Sequence, residues 1–167
     1  MGSATGTGSG TGSMGEDEMA EGEARYSGSC LCGGVAYEVS AELGEFGYCH
    51  CTSCRKASGS AHAANAPVER REFRLLRSET LTEYESSPGK LRAFCSRCGC
   101  PIYAYLRSTP ELIRLRLGSL DTPFTKQPQA HTFVSDKAAW EPIADALPQF
   151  AEWAPKSVLD QRGSRQR

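Results

Sequence analysis

Hydrophobic and polar residues alternate with the period of a strand at several places in this chain. Val35, Tyr37 and Val39 alternate with Ala36 and Glu38, and Ile113, Leu115 and Leu117 alternate with Arg114 and Arg116. That is the pattern of strands with one face buried and the other toward water. Residues 73–76 and 81–84 flank Ser78-Glu79 and predict a hairpin, while Pro88-Gly89 predicts a turn leading into a strand over 91–94. Residues 102–106 predict one more strand. Long helical periodicity is missing, and only residues 51–58 suggest a short helix. Self-similarity at a fixed period is absent, which excludes a solenoid. The expected fold class is mainly β with short helices.

The ends of the chain lack this patterning. Residues 1–13 are almost wholly Gly, Ser, Thr and Ala, and Glu16, Asp17, Glu18, Glu21 and Glu23 follow with no basic residue before Arg25. Such a composition has little to bury, so residues 1–26 are expected to be a disordered acidic tail. Residues 156–167, with four basic residues and one acidic, are expected to form a basic tail. The folded domain is then 27–155, which carries 14 Lys+Arg and 14 Asp+Glu. That balance argues against a nucleic-acid binder working through phosphate neutralisation. No apolar run is long enough for a transmembrane helix, and no basic-then-apolar leader is visible at the start. A cytoplasmic, non-membrane protein is expected, and oligomeric state is not readable.

In that compartment the chain's 8 cysteines point to metal ligands or reactive thiols rather than to a disulfide framework. They fall into three clusters: Cys30-Leu31-Cys32, Cys49-His50-Cys51-Thr52-Ser53-Cys54, and Cys95-Ser96-Arg97-Cys98-Gly99-Cys100. One or two intervening residues allow neighbouring thiolates to turn toward one ion, and the glycines beside them supply tight turns. Cys30, Cys32, Cys95 and Cys98 would complete a closed four-sulfur zinc site of structural type, disulfides or free thiols being the alternative. Cys49, Cys51 and Cys54 supply three donors where a tetrahedral ion needs four, the pattern of a catalytic zinc with an open position. Closure by Cys100 or His50, or a thiol cluster without metal, is the competing outcome. Zn²⁺ with three thiolates carries one net negative charge, and Arg55 and Lys56 stand beside it in sequence. Cys100 itself is a fourth ligand, a redox partner of the middle cluster, or a small buried residue before Pro101, the last being preferred.

The other polar residues suggest less. His50 is a candidate for orienting a substrate or moving a proton, whereas His62 and His131 have no spacing to either cluster and read as ordinary polar residues. Arg70, Arg71, Arg74 and Arg77 interleave with Glu69, Glu72 and Glu79 and read as a solvated sheet face. Trp140, Trp153 and Phe150 read as core or rim packing.

The ordered set of motifs resembles the glutathione-dependent formaldehyde-activating enzyme family, whose eukaryotic relatives include centromere protein V. It comprises Gly28-Ser29-Cys30-Leu31-Cys32-Gly33-Gly34-Val35, then Cys49-His50-Cys51-Thr52-Ser53-Cys54-Arg55-Lys56, then Phe94-Cys95-Ser96-Arg97-Cys98-Gly99. Gly118-Ser119-Leu120-Asp121 and Lys137-Ala138-Ala139-Trp140 extend it over nearly all of 27–155. The resemblance implies a β-tent-like zinc-binding fold with two Zn²⁺ per chain. Cys30, Cys32, Cys95 and Cys98 match the structural ligands, and Cys49, Cys51 and Cys54 the catalytic ones. Cys100 departs from the small non-thiol residue expected there. The implied activity is that of a carbon–sulfur lyase, an S-(hydroxymethyl)glutathione synthase joining glutathione to formaldehyde or a related small aldehyde. Arg55 and Lys56 are then candidates for the glutathione carboxylates. A non-catalytic module that binds glutathione or a protein partner, and a thiol redox sensor, are the competing functions.

Overall fold

The computed structural model describes residues 24–160, and the two tails beyond them, residues 1–23 and 161–167, lie outside the described residues. Ten strands and one short α-helix make up the described chain. Strands β1 (Tyr26–Ser29), β2 (Ala36–Val39) and β5 (Phe73–Arg77) form an antiparallel sheet in the order β1-β2-β5. A larger sheet contains β3 (Gly47–Cys49), β4 (Ala63–Glu69), β6 (Leu81–Ser87), β7 (Lys90–Cys95), β8 (Pro101–Leu106), β9 (Thr109–Arg116) and β10 (His131–Thr132). Its order is β10-β3-β4-β9-β8-β7-β6, antiparallel except where β10 joins β3. Helix α1 (Thr52–Ser58) follows β3. No helix among the described residues is long and apolar enough to cross a membrane.

One apolar core joins the two sheets. Tyr37, Val39 and Phe73 from the small sheet, with Val35 just before β2, pack in one cluster with Val68, Ile102, Tyr103, Ile113 and Leu115 from the large one. The alternation at Tyr37 and Val39 is thus a core-facing strand, as expected. Residues 102–106 lie in β8, and Pro88-Gly89 turns β6 into β7 with Gly89 at φ 76. A backbone N–H at Gly89 donates to the Glu85 carboxylate at 2.6 Å, which fixes that turn.

Three expectations need correction. The segments 73–76 and 81–84 do not pair with each other. Phe73 is drawn into the core against Tyr37 and Tyr103, which places β5 beside β2, whereas β6 pairs with β7 in the other sheet. Ser78-Glu79 is therefore a crossing between sheets rather than a hairpin turn. Trp140 does not pack: it is 70% exposed. Trp153 does, standing edge-on to Phe133 with ring centroids 4.8 Å apart. The C-terminal limit also falls later than 155. Leu159 is buried in a small cluster with Ala130 and Ala154, with Phe150 and Val158 packed against it. The apolar pair Val158-Leu159 holds this stretch against the domain although basic residues flank it.

Gly28 shows how closely the layers approach. Tyr37 donates or accepts at 2.7 Å with Ser119 Oγ directly over this residue. A Cβ at Gly28 would overlap the hydroxyl end of Tyr37 and press on the Ser119 carbonyl oxygen. Gly28→Ala is expected to cost about 1–3 kcal/mol of stability through overpacking, readable as a lowered urea midpoint at unchanged slope.

Candidate metal centre

The first and third cysteine clusters meet in space. Cys30 follows β1 and Cys95 ends β7, and each begins a tight turn in which a glycine takes a left-handed conformation, Gly33 at φ 73 and Gly99 at φ 74. The turns close by matching backbone bonds, Cys30 N to Val35 O at 3.0 Å and Cys95 N to Cys100 O at 2.9 Å. Each thus presents two sulfurs on one side. The Sγ atoms of Cys30, Cys32, Cys95 and Cys98 all lie within 4.8 Å of one another. Cys32 Sγ is 3.6 Å from both Cys30 Sγ and Cys95 Sγ. Zinc–sulfur bonds of about 2.3 Å put the corners of a tetrahedron about 3.8 Å apart, so this spacing fits a four-thiolate zinc. Val35 N–H donates to Cys30 Sγ at 3.2 Å, and Thr80 Oγ1 lies 3.1 Å from Cys95 Sγ. Such outer hydrogen bonds orient thiolate ligands and offset their charge.

The middle cluster is a separate set of three. Cys49 ends β3, Cys51 caps α1 by accepting from Cys54 N at 3.3 Å, and Cys54 sits in the helix's first turn. Their Sγ atoms also lie within 4.8 Å of one another. Among the described residues no fourth His, Cys, Asp or Glu joins them. Hydrogen bonds from the Cys49 and Cys51 thiols, against burial, hold Cys54 down at about 2, while bonding to Cys51 and Cys54 pushes Cys49 up. Three crowded thiols thus share their protons unequally, and a dication can take the place of those protons. The fourth donor considered from the sequence is elsewhere: Cys100 packs near Cys98, Cys30 and Cys95 and is half-buried. Its position favours the small-packing-residue reading over a redox partnership with the trio.

A match to the family model "Glutathione-dependent formaldehyde-activating enzyme" extends over residues 25–136, which contain both cysteine sets. The chain belongs to this family. A Halomonas elongata protein, whose own assignment as a glutathione-dependent formaldehyde-activating enzyme is provisional, is 30% identical over 144 residues. That alignment covers 80% of this chain and 91% of the relative. The crystal structure of a Rhodobacter sphaeroides protein superposes with a TM-score of 0.50 at 28% identity, covering 59% of this chain and 91% of the other.

In this family member the trio opens into a cavity of about 420 Å³ lined by Cys49, Cys51 and Cys54. Four cationic residues also line it: Lys90 and Arg92 from β7, and Arg114 and Arg116 from β9. Trp153, Leu159 and Asp160 line another part, and they lie beyond the residues matched by the family model. The alternation in β9 correctly separates Ile113 and Leu115 from the two arginines, but the arginine face is not open to water. Arg116 is 5% exposed, and Arg114 donates to the Asp160 carbonyl at 2.9 Å. Burial lowers the pKa of both guanidiniums. Burial, then repulsion from Arg114 and Arg92, brings Lys90 down to about 8.

The basic pair picked from the sequence sits differently. Neither Arg55 nor Lys56 lines this cavity. Arg55 Nε donates to the His50 carbonyl at 3.2 Å, and Lys56 lines a smaller cavity of about 170 Å³ that Arg92 and Arg116 also line. His50 is fully buried and does not face the cavity. Its Nε2 lies 2.8 Å from His131 Nδ1, and His131 Nε2 lies 3.0 Å from the Asp145 carboxylate. His62 packs edge-on to His50 and stacks on Tyr48. All 3 histidines of the chain therefore gather in one cluster, because the parallel pairing of β10 with β3 sets His131 opposite Tyr48. Burial, followed by the neighbouring histidines, lowers His50 to about 4.

Two outcomes follow. Elemental analysis of protein purified without chelators is expected to give two zinc ions per chain, falling to one in Cys49→Ser. A single zinc unaffected by that substitution would contradict metal binding by the trio. The second concerns Lys90. Its ordinary value of 10.5 holds in the unfolded chain, against about 8 in the native protein. Below pH 8 both states carry the proton and the buried charge weakens the fold most. Between pH 8 and 10.5 the native protein sheds the proton while the unfolded chain keeps it, so native stability rises. The wild type is expected to gain stability relative to Lys90→Met across that interval, measured by denaturant titration at pH 7, 9 and 10.5.

Proposed function

We propose that this protein is a zinc-dependent carbon–sulfur lyase that joins a thiol, glutathione, to formaldehyde or a related small aldehyde. The observation that carries the reading is a three-thiol set, with no fourth His, Cys, Asp or Glu donor among the described residues, opening into a cavity large enough for a tripeptide-sized ligand. Family membership supports the choice of thiol and aldehyde. In the reaction the thiol sulfur bonds to the carbonyl carbon, the carbonyl π bond breaks, and the thiol proton ends on the new hydroxyl oxygen. No oxidant or reductant is consumed. Zinc held by Cys49, Cys51 and Cys54 would supply Lewis acidity toward thiol or aldehyde.

The chain's own residues then have distinct tasks. Cys49, Cys51 and Cys54 hold the ion, and the cavity walls bring the two reactants together so that addition becomes effectively intramolecular. Trp153, Leu159 and Phe133 line the cavity with apolar surface that limits water near the reacting carbon. His50 acts through position: its N–H bonds Thr132 O at 2.9 Å and its ring bonds His131, which together fix the segment between Cys49 and Cys51. Cys30, Cys32, Cys95 and Cys98 hold a structural zinc. On this reading the protein acts on small-molecule thiols rather than on nucleic acid or membranes, and works in the cytoplasm.

Exchange NMR on glutathione and formaldehyde at equilibrium tests the proposal. The wild type is expected to accelerate adduct exchange above the uncatalysed background, and Cys49→Ser to return the rate to that background while the domain stays folded. Equal exchange rates with and without the wild-type protein would leave a carrier of the thiol as the better reading.

A further inference from the structure

The cavity's cations are arranged by strand register rather than scattered. Arg92 on β7 pairs with Ala104 on β8, and Ala104 pairs with Arg114 on β9. The three form one row across adjacent strands, so the two arginines stand about 10 Å apart at the backbone with a methyl group between them. Ala104 also lines the cavity. Arg116 follows two residues along β9 on the same face, opposite Asn65 of β4.

The partners of Arg92 and Arg116 are neutral. Arg92 Nε donates to Ser86 Oγ at 2.9 Å, and Arg116 Nη1 donates to Asn65 Oδ1 at 2.7 Å. Neither forms an ion pair with an acidic residue among the described residues. Both are more than nine-tenths buried. Arg116 Nε is a buried donor with no acceptor, and so is Trp153 Nε1 on another wall of the same cavity. Buried cations and N–H groups without acceptors are disfavoured unless something supplies the missing oxygens. The unmet groups at this cavity are donors, so the complement is an acceptor-rich anion.

Charge points to the same sign. A zinc with three thiolates contributes one negative charge and Asp160 another, against four positive charges from Lys90, Arg92, Arg114 and Arg116. The balance is two positive charges beside the trio. Guanidinium groups pair with carboxylates through two parallel hydrogen bonds. We propose that Arg92 and Arg116 bind the two carboxylates of the thiol ligand and set the preference for acidic over neutral thiols. The inference rests on the thiol reading of the trio. It moves the recognition of the acidic ends from Arg55 and Lys56 to the floor of the large sheet.

Calorimetric titration of the zinc-loaded full chain tests it with three probes at constant ionic strength. Glutathione keeps both thiol and carboxylates, S-methylglutathione keeps the carboxylates, and glutathione diethyl ester keeps the thiol. S-methylglutathione is expected to bind within about tenfold of glutathione, and the diester about 10–100-fold more weakly, the size of a lost charge-assisted hydrogen bond. Arg92→Met and Arg116→Met should each weaken glutathione by a similar factor, leave the diester unchanged, and recover partly as Arg→Lys. The comparison of ligands on wild-type protein needs no variant to fold. Diester binding as tight as glutathione binding, or no heat with glutathione at millimolar concentration, would overturn the inference. Carboxylate-dependent binding without faster adduct exchange would remove the lyase reading and leave this one standing. Accelerated exchange that is equally fast with the diester would do the reverse.

Discussion

The four-sulfur clasp is the constraint on which the rest of the molecule depends. Cys30 and Cys32 belong to the turn between β1 and β2, and Cys95 and Cys98 to the turn between β7 and β8, so the clasp ties the small sheet to the large one across more than sixty residues of chain. Metal binding at such a site contributes directly to folding free energy. It also sets register. Cys95 is the last residue of β7, and period-2 alternation then puts Ala93 and Cys95 toward the core and Lys90 and Arg92 on the opposite face. A slip of one residue in β7 would break the clasp and reverse the cavity wall together. The four-sulfur clasp therefore orients the groups that line the cavity beside the second cysteine set.

A sheet with both faces occupied explains the cavity. The core face of β9 carries Ile113 and Leu115, and its other face carries the two arginines under the stretch that holds Trp153, Leu159 and Asp160. Burial of four cations in one region is costly by itself. Here the cost is offset locally by the thiolates: Cys54 counteracts the lowering of Arg116, and Arg116 and Arg92 in turn help hold Cys54 ionised. The trio and the arginines are thus one electrostatic unit, each stabilising the charged form of the other.

How much of this was legible in the sequence follows from the distance over which each feature is encoded. The cysteine sets are local words, Cys-x-Cys and Cys-x-x-Cys beside glycine, so spacing alone groups them, although spacing leaves Cys100 open as a fourth donor to the middle set. The strands around Tyr37, Ile102 and Ile113 were legible as well, since a period of two survives in any context. Pairing was not. Residues 73–76 and 81–84 resemble a hairpin because nothing within ten residues tells that Phe73 will be drawn toward Tyr37. The histidine group was invisible for the same reason: His50 and His131 meet only through the pairing of β3 with β10. The arginines of β9 were misassigned to water because alternation reports two faces without reporting that the second is covered.

The position of the cations also bears on what an enzyme of this kind has to accomplish. Addition of a thiol to a small aldehyde is easy without a catalyst, so the barrier leaves little to remove and selection among thiols is the harder task. Lewis acidity from a metal held by the trio could not select, because every thiol would present the same sulfur to it. Selection has to come from groups that contact the rest of the ligand, and specificity is strongest where a site's own buried polar groups are left unpaired by the wrong partner. Arg116 Nε and Trp153 Nε1 are in that condition. A neutral thiol would leave both without an acceptor, whereas an acidic one would supply acceptor oxygens and negative charge. On the proposed reading the clasp, the strand register and the C-terminal cover converge on that discrimination, a metal at the trio supplying the reactivity and the sheet supplying the choice.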